Sequence, residues 1–104
     1  MLENGAGMKS IIVTPTNHFT KQFEERWGKQ PDLIAYLNAS LKEGYFIKDI
    51  HTDCGVVFPS TGTYIPLAPI TNKTETYKAI TFLWNQKGLQ NPHKNLKEVR
   101  VQWV

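Results

Sequence analysis

The run Asp49-Ile50-His51-Thr52-Asp53-Cys54 gathers carboxylate, imidazole and thiol groups as no other stretch of the chain does. On an extended backbone successive side chains alternate, so Asp49, His51 and Asp53 would project from one face. Such a row could hold a divalent cation or work as an acid/base pair, with Cys54 as a further ligand. Its plain structural counterpart puts Asp49 and His51 on a solvated strand face and gives Asp53 a turn. No second histidine or cysteine cluster has ligand spacing, so neither a metal nor a cofactor is expected, and Asp49, His51 and Asp53 remain candidate catalytic residues by proximity alone. A thiol nucleophile at Cys54 would need an imidazole among His18, His51 and His93, and no local signature surrounds the cysteine.

A second candidate is electrostatic. The chain carries a net charge of +3 with a pI near 9.1. Its excess is C-terminal, where Lys87, His93, Lys94, Lys97 and Arg100 fall close together and could attract phosphate, hence nucleic acid, or an acidic protein face. An ordinary solvated surface accounts for the same residues. Aromatics interleaved with cations would strengthen a nucleic-acid reading. Tyr45, Tyr64 and Trp103 stand near Lys48, Lys97 and Arg100, but Trp103 alternates with Val99 and Val101 as a core residue does. Ser60-Thr61-Gly62-Thr63 lacks the lysine and the following helix of a phosphate loop.

These residues must be positioned by one small domain. At 104 residues, 40% hydrophobic and 12% aromatic, the chain can bury one core and no more. Residues 1–8 read as a disordered leader and 9–104 as a single α+β domain. The lone cysteine allows no internal disulfide, and no signal peptide or apolar run of membrane-spanning length is present, so a cytoplasmic setting without a membrane is expected.

Along the chain, Ile11, Ile12 and Val13 predict a strand from Lys9 to Thr14, closed by Pro15. Asn17 is a candidate cap for a helix with the stripe Phe19, Phe23 and Trp27, stopped at Gly28. Pro31-Asp32 restarts a helix with Leu33, Ile34, Leu37 and Leu41 inside and Gly44 as its stop, followed by a strand from Tyr45 to about Thr52. Asp53-Cys54-Gly55 has turn chemistry. Val56-Val57-Phe58 and Tyr64-Ile65-Pro66-Leu67 then read as a hairpin whose second arm, carrying Pro66 and Pro69, belongs on an edge. Asn72-Lys73-Thr74-Glu75 has capping-box spacing and predicts a third helix bearing Tyr77, Ile80, Leu83 and Trp84, ended by Gly88. Glu98 to Val104 alternates as a final strand with Val99, Val101 and Trp103 on one face.

The order β-α-α-β-β-β-α-β predicts a single layer of mainly antiparallel sheet, about four or five strands, with three helices on one face in a ferredoxin-like arrangement. That architecture carries no function by itself. With no catalytic motif, the function expected is that of a small non-enzymatic binding or accessory protein. A terminal strand available for pairing makes a homo-oligomer the expected assembly. The alternative is a small basic nucleic-acid-binding or RNA-cleaving module that uses the C-terminal basic segment. A further option is a small-molecule pocket lined by Phe19, Phe23, Tyr77 and Trp84.

Overall fold

A computed structural model describes residues 9–48, 54–84 and 97–104. The elements are β1 (Lys9–Pro15), α1 (Asn17–Trp27), α2 (Leu33–Ser40), β2 (Glu43–Lys48), β3 (Cys54–Phe58), β4 (Thr63–Pro69), β5 (Thr76–Ala79), β6 (Leu83–Trp84) and β7 (Lys97–Trp103). Neighbours run β3-β2-β7-β1-β5-β4, and β4 pairs back onto β3, so six strands close into a barrel. β1 lies parallel to both β5 and β7, and the remaining pairs are antiparallel. A closed barrel with two described helices therefore replaces the expected open ferredoxin-like layer with three helices on one face.

The correction turns on residues 72–84. Glu75 adopts a left-handed backbone with φ of 52°, which breaks a helix before it starts, and Thr76 onward is extended. The strand these residues form joins β1 to β4 and closes the ring. Pro66 is consequently on no edge. Between the pairs Leu67↔Ala79 and Tyr64↔Leu83, β4 contributes two residues and the opposite chain three. This is a β-bulge, one of the few places inside a sheet where a proline fits. The Pro66 carbonyl still accepts from the Ile80 amide at 2.9 Å.

Two smaller expectations change as well. Thr16, not Asn17, caps α1, its hydroxyl accepting from the Phe19 amide and donating to the Ala79 carbonyl at 2.7 Å, which ties the helix to β5. Gly44 lies inside β2 rather than ending α2, while Cys54 and Gly55 belong to β3 rather than a turn. Gly28 does stop α1, at φ 86°.

Alternation builds the core. Ile11 and Val13, Val56 and Phe58, Ile65 and Leu67, and Val99, Val101 and Trp103 face inward and fill the barrel. One end is sealed by the helices, because β1 and β7 finish there and the aromatic stripe of α1 drops onto them. Phe19 stacks on Trp103 at 5.4 Å, and Phe19, Phe23 and Trp27 all meet Phe82 at 5.1–5.8 Å. Asn38 of α2 takes over as partner where β2 has not yet begun: its amide donates to the Trp103 carbonyl and accepts from the Trp103 amide. The Trp103 indole donates to the Leu41 carbonyl at 2.9 Å. β7 thus has neighbours on both sides, β1 and β2, and offers no free edge for pairing with a second chain.

Candidate functional site

The helix-free end of the barrel is its mouth. β1, β3, β5 and β7 begin there and β2 and β4 end there, so Lys9, Lys48, Cys54, Pro69, Thr76 and Lys97 mark its rim. Alternation places Lys9 on the same face as Ile11 and Val13, and Lys97 on the same face as Val99. A cavity of about 360 Å³ opens between Lys9, Phe46, Cys54, Pro69, Glu75 and Tyr77. That volume lies within the roughly 300–1,000 Å³ range of small-molecule sites, and barrel mouths are common places for them.

Glu75 is the centre of the arrangement. Its carbonyl accepts from the Ile12 amide at 2.9 Å, fixing the turn against β1, while Ile70 donates to the Thr76 carbonyl across the turn base. A left-handed conformation costs a non-glycine residue about 1–2 kcal/mol, a strain seen mostly where position matters. Here it delivers the carboxylate to within 3.2 Å of the Lys9 ammonium and 3.3 Å of the Tyr77 hydroxyl, which donates to it. Lys9 also lies 5.4 Å above the Phe46 ring, within cation–π range, and Phe46 and Tyr77 form two walls 5.8 Å apart at 55°. The Cys54 thiol is buried against the cavity and donates to the Leu67 carbonyl at 3.8 Å.

Burial raises the Tyr77 phenol from its ordinary value near 10 to about 12, helped by the charge of Glu75, that of Cys54 and the hydrogen bond to Glu75. The phenol therefore stays a neutral donor throughout the physiological range. Its contribution to stability is intact below pH about 10, where both states are protonated, and is lost as pH rises through about 12, because the unfolded phenol ionises first. A phenolate absorbance titration of the wild-type chain minus Tyr77→Phe should show a step centred near 12. A step near 10 would contradict the packing of this side chain.

Asp49, His51 and Asp53 lie outside the described residues, although the flanking Lys48 and Cys54 are both at the rim. Among the described residues no group of three His, Cys, Asp or Glu side chains could hold a metal. Of the basic candidates, Lys87, His93 and Lys94 are outside the described residues. Lys97 is exposed at the rim, and Arg100 is on the outer wall 3.3 Å from Glu43. Tyr45 and Tyr64 do share the outer face of β2, β3 and β4, flanking Val57, but the ladder sets Glu98 beside Tyr45. His18, in the first turn of α1, is at the sealed end and away from Cys54. Phe19 and Phe23 are fully buried in that seal while Tyr77 is at the mouth, so they share no pocket. Ser60 and Thr61 turn the β3–β4 hairpin, with Thr61 donating to the Phe58 carbonyl at 3.1 Å.

A second concavity of about 400 Å³ runs between α2 and β7, lined by Asn38, Lys42, Glu43 and Arg100. Its polar groups serve the fold: Asn38 holds Trp103, and Arg100 and Glu43 pair with each other. Sequence reasoning marked the neighbourhood of Cys54, named Tyr77 in a pocket with other partners, and missed Lys9, Phe46 and Glu75. One signal was there to be found, since Lys9 is in phase with Ile11 and Val13 and therefore stands on the inward side of the first strand. Among the described residues no helix is long and apolar enough to cross a membrane. Comparison with protein-family models, with curated proteins and with solved structures returned no match.

Proposed function

We propose that the chain is a small non-enzymatic binding protein, with the barrel mouth as its ligand site. The observation that carries this reading is the pairing of an open cavity with a strained, anchored carboxylate: Glu75 holds a left-handed backbone at the rim and presents its side chain between Lys9 and Tyr77. The walls are aromatic and the polar groups few and convergent, which is the composition of a recognition pocket.

The nucleic-acid alternative draws on the C-terminal basic segment, of which only Lys97 and Arg100 are described, and Arg100 is engaged by Glu43. Self-association through a free terminal strand loses its route, because β7 is flanked by β1 and β2. A cytoplasmic setting rests on the lone cysteine.

The reading is tested by an NMR screen of a mixed set of small polar and aromatic fragments. Shift changes should cluster at Lys9, Phe46, Cys54 and Tyr77. Hits gathered instead around Tyr45 and Tyr64, or fragments that leave the mouth signals unmoved, would overturn it.

A further inference from the structure

The mouth already holds one ammonium group. Lys9 extends its side chain from the first residue of β1 so that the charged end lies 5.4 Å above the Phe46 ring and 3.2 Å from Glu75. Tyr77 forms the second aromatic wall, tilted 55° to the first, and its hydroxyl steadies the same carboxylate. Two inclined aromatic faces plus one carboxylate are what recognition of an organic cation requires, because the ring quadrupoles and the anion attract the same charge while the rings shed water. Lys9 itself is about 42% exposed on a long, flexible stem, so it can leave the box at modest cost.

We infer that the mouth is a receptor for a small organic cation, a primary or methylated ammonium, and that Lys9 is its built-in, displaceable occupant. This rests on the reading of the mouth as the ligand site and adds the chemical class of ligand. Glu75 supplies the counter-charge, Phe46 and Tyr77 the walls, and Cys54 and Pro69 the remaining surface of the cavity. The turn carrying Glu75 is held by the Ile12 amide, so the carboxylate stays in place when Lys9 swings out. The competing chemistry is an anion. Lys97 is exposed and lies opposite Phe46 in the ladder, so a carboxylate or phosphate would find Lys9 and Lys97 on one rim. The two classes make opposite demands on Lys9: a cation competes with it, and an anion needs it.

The experiment is an NMR titration of the full chain with choline, with its uncharged carbon isostere dimethylbutanol, and with butyrate, on wild type, Lys9→Met and Glu75→Gln. Melting curves establish that each variant is folded. Choline should shift the ring signals of Phe46 and Tyr77. Its affinity should rise about fivefold in Lys9→Met, where the occupant is gone and the aliphatic stem is kept, and should fall at least about tenfold in Glu75→Gln. Dimethylbutanol should bind more weakly than choline in every form. Tighter binding of butyrate than choline at these residues, lost in Lys9→Met, would overturn the cation assignment and leave the mouth as a ligand site. Equal binding of choline and dimethylbutanol would overturn it too. If all three probes and the fragment screen leave the mouth signals unmoved, the inference and the reading beneath it both fall.

Discussion

Gly44→Ala is expected to lower the melting temperature by about 10 °C or more, although alanine is the better residue in an ordinary strand by roughly 0.5–1 kcal/mol. At Gly44 there is no room for a side chain between β2 and β3. A methyl group there would sit 2.5 Å from the Val57 carbonyl oxygen and 3.0 Å from the side chains of Phe58 and Val56. The nearest obstacle is backbone, so relief requires moving one strand away from its neighbour in a closed ring that has no slack. Overpacking typically costs about 1–3 kcal/mol, and this case belongs at or beyond the top of that range. For a domain of this size each kcal/mol is worth roughly 4–8 °C. Thermal unfolding followed by circular dichroism reads the effect, and a variant as stable as the parent would mean that β2 and β3 do not approach as described.

Trp103→Ala is expected to cost about 3–5 kcal/mol, enough to remove much of the stability of a domain whose total is roughly 5–15 kcal/mol. Trp103 ends β7 under the helices, stacked on Phe19, with its indole donating to Leu41 and its backbone held by both groups of Asn38. Truncation opens a cavity where barrel and helices meet and leaves the Leu41 carbonyl without that donor. Trp103→Phe separates the two contributions, since it keeps a ring for Phe19 and loses the indole hydrogen bond, worth about 1 kcal/mol. Denaturant unfolding of both variants measures this. Equal losses would mean that packing at the sealed end contributes little.

Where residue pattern and fold agree, the pattern is undisturbed. Ile11 and Val13 alternate along β1, Val99, Val101 and Trp103 along β7, and Phe19, Phe23 and Trp27 recur at helical spacing, and each set faces the core or packs against it. The segment that decides the architecture is the one whose pattern is disturbed. From β5 to the start of β6 the inward residues Tyr77, Ala79 and Phe82 are spaced by two and then by three, because the bulge opposite Pro66 inserts one residue. In the sequence, Tyr77, Ile80, Leu83 and Trp84 fall at i, i+3, i+6 and i+7, close to the spacing of one helical face, although the segment is extended. With Asn72 to Glu75 ahead of it in capping-box spacing, the segment imitates a helix start. Reading it so removes the strand that joins β1 to β4, and the barrel opens into a layer.

The candidate site was hidden by the same substitution. Glu75 and Tyr77 look like helix residues when 72–84 is taken as a helix, and Lys9 then has no partner across the sheet. Of the lining residues, Cys54 attracts notice for its neighbours Asp49, His51 and Asp53 rather than for the cavity it borders, and Tyr77 for a pocket with Phe19, Phe23 and Trp84 that does not form. Lys9, Phe46 and the pair Glu75 and Tyr77 come from three separated parts of the chain and meet only when the ring closes. Local spacing puts Lys9 on the inward side of β1 but could not announce the set.

The mouth therefore exists only if residues 76–79 form a strand beside β1. Nuclear Overhauser contacts between Ile12–Pro15 and Thr76–Ala79 test this most directly. The parallel register Ile12↔Thr76, Val13↔Tyr77, Thr14↔Lys78 and Pro15↔Ala79 predicts a ladder of interstrand contacts along this pair. An unbroken series of sequential amide–amide contacts through 76–84, with none to β1, would restore the helix, open the barrel and remove the site.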